Sequence, residues 1–528
     1  MNATRFRNRL AVIILVIVFA GSAWHVGVRL FRTANPNLVE IQIGHWLLHT
    51  GMREAFDAAI DGYQKLHPNV RITQIAVPVR SYAAWSRTQL AGETAPDITG
   101  MLTLNEELIS RNFVPLTPWL DQPNPYNAGT DLAGIPWRDT FIDGLSAMAN
   151  LTPTSGEVCG VTLQLNSLRL FYNRELLREI TGSDEPPADF AELQHIGRQI
   201  MDYSARTGRR LVPIAGCGPY TRQLFNTLLP SQTQRLTLTL SPGRNLRVTA
   251  LELAGLMLDD RVNYDTPEIR STLNLMRDVS ALLTPGFTQQ QRDEAIHSYL
   301  QQNAVMLFAG SWDYAVLAQD GDFTTGMIPL PLPSPDDPQY GRFTLGPVSE
   351  AAGYPEAMLG VVRNSKHQDV ALDFLHYLTS RTTAAEFSRI SLRISSTIGT
   401  PPPPDGSNLK PRLEGELPGF TTDFGWFSAD LSSNYFQREI HTAIGHKSDV
   451  PAFAAKLNAE LPRYLREDIT RHLTRIRRDV RQLDAQVVFH YTLSEDNPAR
   501  ASWTRHAEVQ HMRQLENLQY RRYTAPQN

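Results

Sequence analysis

The sequence predicts an α/β protein that divides into more than one lobe and ends in a helical extension. Strand-like and helix-like patterns alternate along most of the chain, which is typical of α/β folds with a mainly parallel sheet. A length of 528 residues is too great for one small core, and 42% hydrophobic with 20% charged residues is ordinary for a globular protein. After residue 450 the pattern is helical alone.

The first elements after the amino-terminal segment follow this alternation. Val39, Ile41 and Ile43 alternate with polar residues, as in a half-buried strand. The stretch 51–66 has apolar residues at helical spacing, and "VRITQIAVP" predicts a second strand. A further helix follows in "YAAWSRTQLAG", with a third strand opening at Asp97. Ligands bind at the carboxyl edge of such sheets, so the loops after these strands are candidates for a binding site.

The same pattern continues through the middle of the chain. "GVTLQLNSLRLFYN" predicts extended structure before a helix that begins near Arg174. An amphipathic helix that starts at Phe190 ends at Gly208, and one long helix is predicted over 370–390. Two Pro-rich stretches, 328–338 and 400–408, predict surface connections.

The region after residue 460 contains one apolar stripe at steps of three or four residues. Its members are Leu461, Leu465, Ile469, Leu473, Ile476, Val480, Leu483 and Val487. Such a stripe predicts a helix that packs against another surface. Between Arg463 and Arg481 the helix has seven Arg and three acidic residues. Two interpretations stay open: a helix whose stripe faces the core, and a helix that binds a partner or a membrane surface.

The amino terminus has the pattern of an export signal. Arginines at 5, 7 and 9 precede the apolar run 10–20, and small residues follow it. The segment is either cleaved near Ala23 or retained as an anchor in the inner membrane, and both place the body of the protein outside the cytoplasm. No cysteine follows the apolar run, which excludes a lipoprotein.

Several functions lack support in the sequence. The net charge of −4 provides no basic surface for nucleic acid. Two cysteines, Cys159 and Cys217, cannot build a four-cysteine zinc site, and they form either one disulfide or two separate thiols. No HExxH, GxSxG, GxGxxG or phosphate-loop motif occurs. The sequence therefore predicts neither an enzyme, nor a metal site, nor a cofactor.

Trp312 occupies an unusual position, because Gly310 and Ser311 break the apolar run just before it. The indole either caps the core or is presented to a ligand. A loop position favours the second interpretation.

Six segments in order resemble a known family. They are "VEIQIGHW", "EAFDAAIDGYQKLHPNVRIT", "TQLAGETAPDI", "GVTLQLNSLRLFYNRELL", "MLFAGSWD" and the Leu-rich helix after "GVVRNSKHQDVA". Together, from Val39 to Leu461, the chain resembles the bacterial extracellular solute-binding proteins of family 1, the maltose-binding-protein-like receptors of ABC sugar importers. The resemblance implies a two-lobe periplasmic-binding-protein fold with hinge strands. It also implies a non-enzymatic receptor that closes on a carbohydrate and delivers it to ABC permease subunits in the membrane.

The resemblance also implies a set of ligand-binding positions. Trp312 matches an aromatic that stacks on a sugar ring, and Tyr220 matches a second aromatic contact. The other candidates are His45, Trp46, Thr103, Asn105, Gln164, Asn166, Asp313 and Tyr435. These side chains are aromatic or mostly neutral, which predicts a neutral mono- or oligosaccharide. The nearest basic residues, Arg169 and Arg174, are expected to point away from the cleft.

The expected organisation is a signal segment over 1–37, an N-lobe over 38–163 and 357–400, a C-lobe over 164–356 and 401–460, and an extension over 461–528. Members of the family commonly end before such an extension. The extension could clamp the lobes, bind the permease or mediate self-association. With a retained anchor, it also fits an alternative function, a membrane-tethered sensor that presents a bound solute to a signalling partner.

Overall fold

A computed structural model describes residues 38–524 apart from 150, 153–156, 241–247, 249, 351–353, 404–405, 413, 416–418, 421–430, 445–447, 495–499 and 501. The predicted signal segment lies outside the described residues. In the described part, no helix is both long enough and apolar enough to cross a membrane.

The strands form two separate sheets. In chain order they are β1 (Val39–His45), β2 (Val70–Ala76), β3 (Ile98–Gly100), β4 (Val161–Asn166), β5 (Leu168–Asn173), β6 (Val212–Ala215), β7 (Ala304–Gly310), β8 (Thr325–Ile328), β9 (Tyr354–Val361) and β10 (Ile394–Ser395). The first sheet has the order β10-β4-β9-β3-β1-β2, and the second has the order β6-β7-β5-β8. The chain therefore leaves the first sheet after β4 and returns to it with β9, which gives the two lobes that the fold prediction requires.

The helices surround these sheets. They are α1 (Met52–Leu66), α2 (Val79–Ala91), α3 (Glu106–Asn112), α4 (Thr117–Leu120), α5 (Ser146–Ala149), α6 (Arg174–Thr181), α7 (Phe190–Thr207), α8 (Thr221–Gln232), α9 (Gln234–Leu240), α10 (Ala250–Leu258), α11 (Pro267–Ser280), α12 (Arg292–Leu300), α13 (Tyr314–Asp320), α14 (Gln368–Leu378), α15 (Arg381–Ser391), α16 (Leu431–Glu439), α17 (Val450–Thr492) and α18 (Ser502–Tyr520). The elements predicted at 39–45, 52–66, 70–76 and 190–207 are present.

The prediction of a mainly parallel sheet was wrong in part, because both sheets are mixed. β1 runs parallel to β2 and β3, but β9 is antiparallel to β3 and β4. In the second sheet β5 is antiparallel to β7 and β8, while β6 and β7 are parallel. Hydrophobic periodicity shows that a segment is a strand but contains no information about which neighbour it meets or in which direction.

Helix ends follow the local sequence. Asp189 caps α7 by accepting a hydrogen bond from the Glu192 amide at 2.9 Å, and Gly208 ends the helix with φ 71°. The single helix predicted over 370–390 is two helices, α14 and α15. The break falls at Ser380, whose extended backbone (φ −70°, ψ 153°) begins α15. The apolar residues keep their spacing across this short break, which is why the pattern looked continuous.

Each sheet has its own hydrophobic core. Cys159 is buried in the core of the first lobe and Cys217 in the core of the second. Both thiols are free, which decides between the two cysteine arrangements left open by the sequence.

The C-terminal stripe packs against the second lobe. Leu461, Leu465, Ile469, Leu473 and Ile476 are buried in its core, and Val480 is packed against it. Helix α17 contacts α10, α11, α16 and α18, and it continues without a break through residues 460 and 461. The stripe from Leu461 to Val480 thus faces the core, in agreement with the first of the two interpretations.

Candidate binding site between the lobes

The two sheets meet where the chain crosses from β4 to β5. The crossing residue, Ser167, is tied to the end of β7, because its carbonyl accepts from the Ser311 amide at 2.8 Å. The Ser167 amide in turn donates to the Ser311 hydroxyl at 3.1 Å. These bonds place the loop that contains Trp312 at the boundary between the lobes. We refer to this region as the interlobe junction.

On the second-lobe side, three predicted residues form one hydrogen-bonded chain. The Trp312 indole donates to the Tyr220 hydroxyl at 2.9 Å, and that hydroxyl donates to Asp313 at 2.9 Å. The two aromatic rings meet edge to face, with centroids 6.0 Å apart. Arg292, at the start of α12, forms an ion pair with Asp313. The half-buried indole is therefore held by Tyr220, which Asp313 in turn holds in place.

Gly310 explains the break that precedes the tryptophan. A Cβ at this position would lie 2.2 Å from the Trp312 ring, closer than any real contact. Only glycine lets the indole pack against the end of β7, so Gly310 positions the ring.

On the first-lobe side, a buried ion pair faces this chain. Arg393 follows Leu392, whose left-handed backbone (φ 53°) ends α15, and Glu356 lies on β9. Both side chains are almost fully buried, with 2% and 9% of their surface exposed. The nearest atoms, Arg393 Nη1 and Glu356 Oε2, are 3.9 Å apart, which is too far for a hydrogen bond.

The junction contains many polar atoms without partners. None of the three guanidinium nitrogens of Arg393 is hydrogen-bonded to a residue that the structure describes. The same holds, within that part of the chain, for Arg292 Nε, Glu356 Oε2, Gln164 Oε1 and Asn166 Oδ1. Buried polar groups in proteins are nearly always paired, and each exception requires an explanation. Here the donors and acceptors of two lobes meet in one place, which is the arrangement expected of a ligand site.

Burial and the neighbouring charges shift the acids and bases of the junction. Burial raises the pKa of Asp313 and of Glu356, while Arg292 and Arg393 respectively oppose that rise. Burial, together with both arginines, lowers the pKa of His49 to about 3. The imidazole is therefore neutral at pH 7.

The structure brings five of the ten predicted positions to the junction: Gln164, Asn166, Tyr220, Trp312 and Asp313. Gln164 donates to the Ser391 hydroxyl at 3.0 Å. The Asn166 side chain lies beside the Glu356 carboxyl and opposes the rise in its pKa.

The other five positions lie elsewhere. His45 is fully buried and stacks on Phe56 with centroids 4.6 Å apart, and Trp46 packs in the same core against Tyr82. Both therefore sit inside the first lobe.

Thr103 is exposed, and Asn105 caps α3 by accepting from the Leu108 amide at 3.0 Å. Tyr435 is buried on α16, where it stacks on Tyr464 of α17 at 4.7 Å. Asn105 and Tyr435 thus have structural partners away from the junction, whereas Thr103 accepts a hydrogen bond from Arg87 at 3.0 Å through its backbone carbonyl.

Sequence reasoning missed Arg292, Arg393, Glu356 and His49. Glu356 had a readable signal, since it is an acid inside an apolar strand, and Arg393 follows a helix just before another strand. The Arg169 guanidinium is fully buried and paired with Glu350 at 2.8 Å. Arg174 is exposed.

Among the described residues, no group of His, Cys, Asp and Glu could hold a metal ion.

Comparisons with known proteins agree with this architecture. A model of the family described as bacterial extracellular solute-binding protein matches residues 58–412. A search of curated proteins gives no match.

Solved structures of sugar-binding proteins share the fold. The apo form of RafE from Streptococcus pneumoniae is 14% identical, with a TM-score of 0.56, over 80% of this chain and 97% of that chain. RafE has also been solved in complex with raffinose. The GacH receptor of Streptomyces glaucescens, solved with acarbose, is 16% identical, with a TM-score of 0.54, over 81% and 98% of the two chains.

A chitin oligosaccharide binding protein is 13% identical, with a TM-score of 0.56, over 81% and 99% of the two chains. At such identities these likenesses show the fold, and the proteins named are binding proteins rather than enzymes. Because the family model covers more than half of the sequence, the chain belongs to the bacterial extracellular solute-binding protein family.

Proposed function

We propose that the protein is the extracytoplasmic receptor of an ABC importer, which holds a carbohydrate between its lobes and delivers it to permease subunits in the membrane. The observation that carries this proposal is the set of unpartnered donors and acceptors at the interlobe junction, beside the half-buried ring of Trp312. Sugars combine hydroxyl groups with apolar C–H faces, and this site offers a partner to each.

The two-lobe architecture supports delivery as well as binding. A ligand that contacts both lobes favours the arrangement in which they are close together. A membrane permease can distinguish that arrangement from the open one. The structural relatives, whose names refer to raffinose, acarbose and chitin oligosaccharides, support a saccharide as the ligand.

A ligand screen tests the proposal. The purified full-length protein, in mild detergent, is screened by thermal shift against neutral and acidic mono- and oligosaccharides, and each hit is followed by calorimetry. A sugar present at a hundred times its Kd stabilises the folded state by about 2.7 kcal/mol and raises the melting temperature. Absence of any shift across the panel would refute the carbohydrate receptor.

A second experiment tests delivery. Deletion of the gene in its host should abolish uptake of the sugar that the screen identifies, and expression of the intact protein should restore it. Unchanged uptake, with binding intact, would favour the membrane-tethered sensor over the importer.

A further inference from the structure

The ion pair between Arg393 and Glu356 has a spacing that fits one shared ligand atom. Two hydrogen bonds of about 2.8 Å from a single oxygen span about 4 Å when they meet near a right angle. The observed separation of Arg393 Nη1 and Glu356 Oε2 is 3.9 Å. Both atoms lack a hydrogen-bond partner among the described residues.

The chemistry of the two side chains defines that atom. A guanidinium only donates, and an ionised carboxylate only accepts. An oxygen between them must accept from Arg393 and donate to Glu356. A hydroxyl does both, whereas a ligand carboxylate cannot donate and would face Glu356 with like charge.

The remaining groups of the junction also suit a neutral ligand. Each arginine of the junction faces an acid, Arg292 with Asp313 and Arg393 with Glu356, so that basic groups do not outnumber acidic ones. Gln164 Oε1 and Asn166 Oδ1 add two more acceptors. A ligand that supplies several O–H donors would satisfy them.

We propose that Arg393 and Glu356 together bind one hydroxyl of the carbohydrate, and that this pair makes the receptor select neutral sugars over sugar acids. The inference rests on the proposed function. It identifies two specificity-determining residues and narrows the ligand class.

Glu356→Gln tests the pair, with raffinose, xylobiose and chitobiose as neutral probes and digalacturonate as the acidic probe. We expect the wild-type protein to bind at least one neutral probe and to bind digalacturonate at least tenfold more weakly. Because the variant loses the charged acceptor, its affinity for the neutral probe should fall about tenfold.

Glu386→Gln is the matched control, since Glu386 is an exposed acid paired with Arg389 on α15. Its affinity should equal that of the wild type. Arg393→Lys keeps the charge but loses the planar guanidinium and its fixed set of donors. It should also lower the affinity for the neutral probe. Urea unfolding of each variant checks that it is folded.

The outcomes are distinct. If Glu356→Gln binds digalacturonate more tightly while its affinity for the neutral sugar is unchanged, the pair is an anion site and the inference is wrong. If both the Glu356 and Arg393 variants bind the neutral sugar like the wild type, the pair binds only water, and the proposed function still stands. If the wild type binds no probe of either class and the wider screen is also negative, the proposed function itself fails.

The C-terminal extension supports a second, independent inference, because it touches both lobes. Its anchor is in the second lobe, where Tyr520 is buried in the core and the Tyr523 hydroxyl donates to Asp259 at 2.8 Å. Arg522 adds a hydrogen bond to the same carboxylate at 2.7 Å.

A second set of contacts connects the extension with the first lobe. Arg513 on α18 pairs with Glu106 at 3.2 Å, and Arg478 on α17 pairs with Glu107 at 3.1 Å. Both acids open α3 in the first lobe. Arg513 is held in place by Glu516, which it contacts at 2.8 Å and which also accepts from His472 at 3.0 Å.

We infer that the extension is a strap that biases the lobes toward the arrangement seen here. Any hinge motion at the interlobe junction displaces α3 from an extension fixed to the second lobe, and this breaks the two pairs. The strap therefore raises the population of the sugar-competent arrangement before sugar arrives, and with it the apparent affinity.

Charge reversal tests the strap in the full-length protein. Arg513→Glu should increase the radius of gyration of the sugar-free protein in small-angle scattering and weaken sugar binding about threefold to tenfold. The double variant Arg513→Glu with Glu106→Arg restores the attraction and should return both quantities toward the wild type.

Arg475→Glu is the control, because it makes the same charge change at an exposed position of α17. If Arg513→Glu has the same radius of gyration and the same sugar affinity as this control, the inference of a strap is refuted. A loss that the double variant fails to rescue would also overturn it, since damage to the fold of α18 would then explain the loss.

Discussion

Two buried arginines, Arg169 and Arg393, show how differently the same side chain is used in the two lobes. Arg169 on β5 is fully buried, and its guanidinium donates to both oxygens of Glu350 at 2.8 and 3.0 Å. It also donates to the carbonyls of Asn408 and Lys410, each at 2.7 Å. The Arg393 side chain is almost equally buried, yet its guanidinium has no hydrogen bond to any described residue.

The difference separates a buried charge that stabilises the fold from a buried charge that is available to bind a ligand. A buried guanidinium is costly unless its donors are satisfied, so Arg169 acts as a clasp between β5 and the segment after residue 407. In the ligand-free protein, no hydrogen bonds offset the free-energy cost of burying the Arg393 guanidinium. A ligand that supplies the missing acceptors removes that cost, and this makes the site selective for such a ligand.

The largest effect is expected from Arg169→Met. This change leaves Glu350 without its partner and several carbonyls without donors, and it should lower the free energy of unfolding by about 3 kcal/mol. Urea denaturation followed by circular dichroism measures the change. Arg174→Met, at an exposed position on the neighbouring helix α6, should change stability by less than about 0.5 kcal/mol. Equal stability of the two variants would contradict the structural role of Arg169.

A smaller effect is expected when the indole of Trp312 is removed from the interlobe junction, and it concerns sugar affinity. Trp312→Ala should weaken sugar binding by about 1–3 kcal/mol, because the sugar loses its apolar platform. Calorimetry measures the affinity. Trp119→Ala removes the same side chain from α4, where the half-buried indole packs against the core of the first lobe, and it should leave affinity unchanged. If Trp312→Ala binds the sugar as tightly as the wild type does, the indole does not stack on the ligand.

The smallest effect on stability is expected from the double variant Arg393→Met with Glu356→Leu. Removing both members of a poorly bonded buried pair should leave the free energy of unfolding within about 1 kcal/mol of the wild type or raise it. Sugar binding should nevertheless be lost. The double variant Arg169→Met with Glu350→Leu is the counterpart, and it should stay destabilised because the carbonyls still lack donors. A loss of stability at Arg393 as large as that at Arg169 would show that both arginines are structural.

Local sequence predicted much of this molecule. The alternation of Val39, Ile41 and Ile43 identified β1, and Gly208 marked the end of α7. The break at Gly310 correctly indicated that Trp312 lies at the end of a strand. Each of these features depends on residues that are neighbours in the chain, so a pattern of a few residues is enough to reveal it.

The sequence by itself thus determined the α/β class, the family and most element positions, because periodicity, caps and segment order are local properties. Only the tertiary structure decided that β9 runs antiparallel between β3 and β4 and that the two thiols lie in different cores. It also decided that Arg393 and Glu356 meet across 37 residues of chain without a bond, while Arg169 is saturated. Whether a buried charge is satisfied depends on groups that are distant in sequence and adjacent only after folding, and no local pattern contains that information.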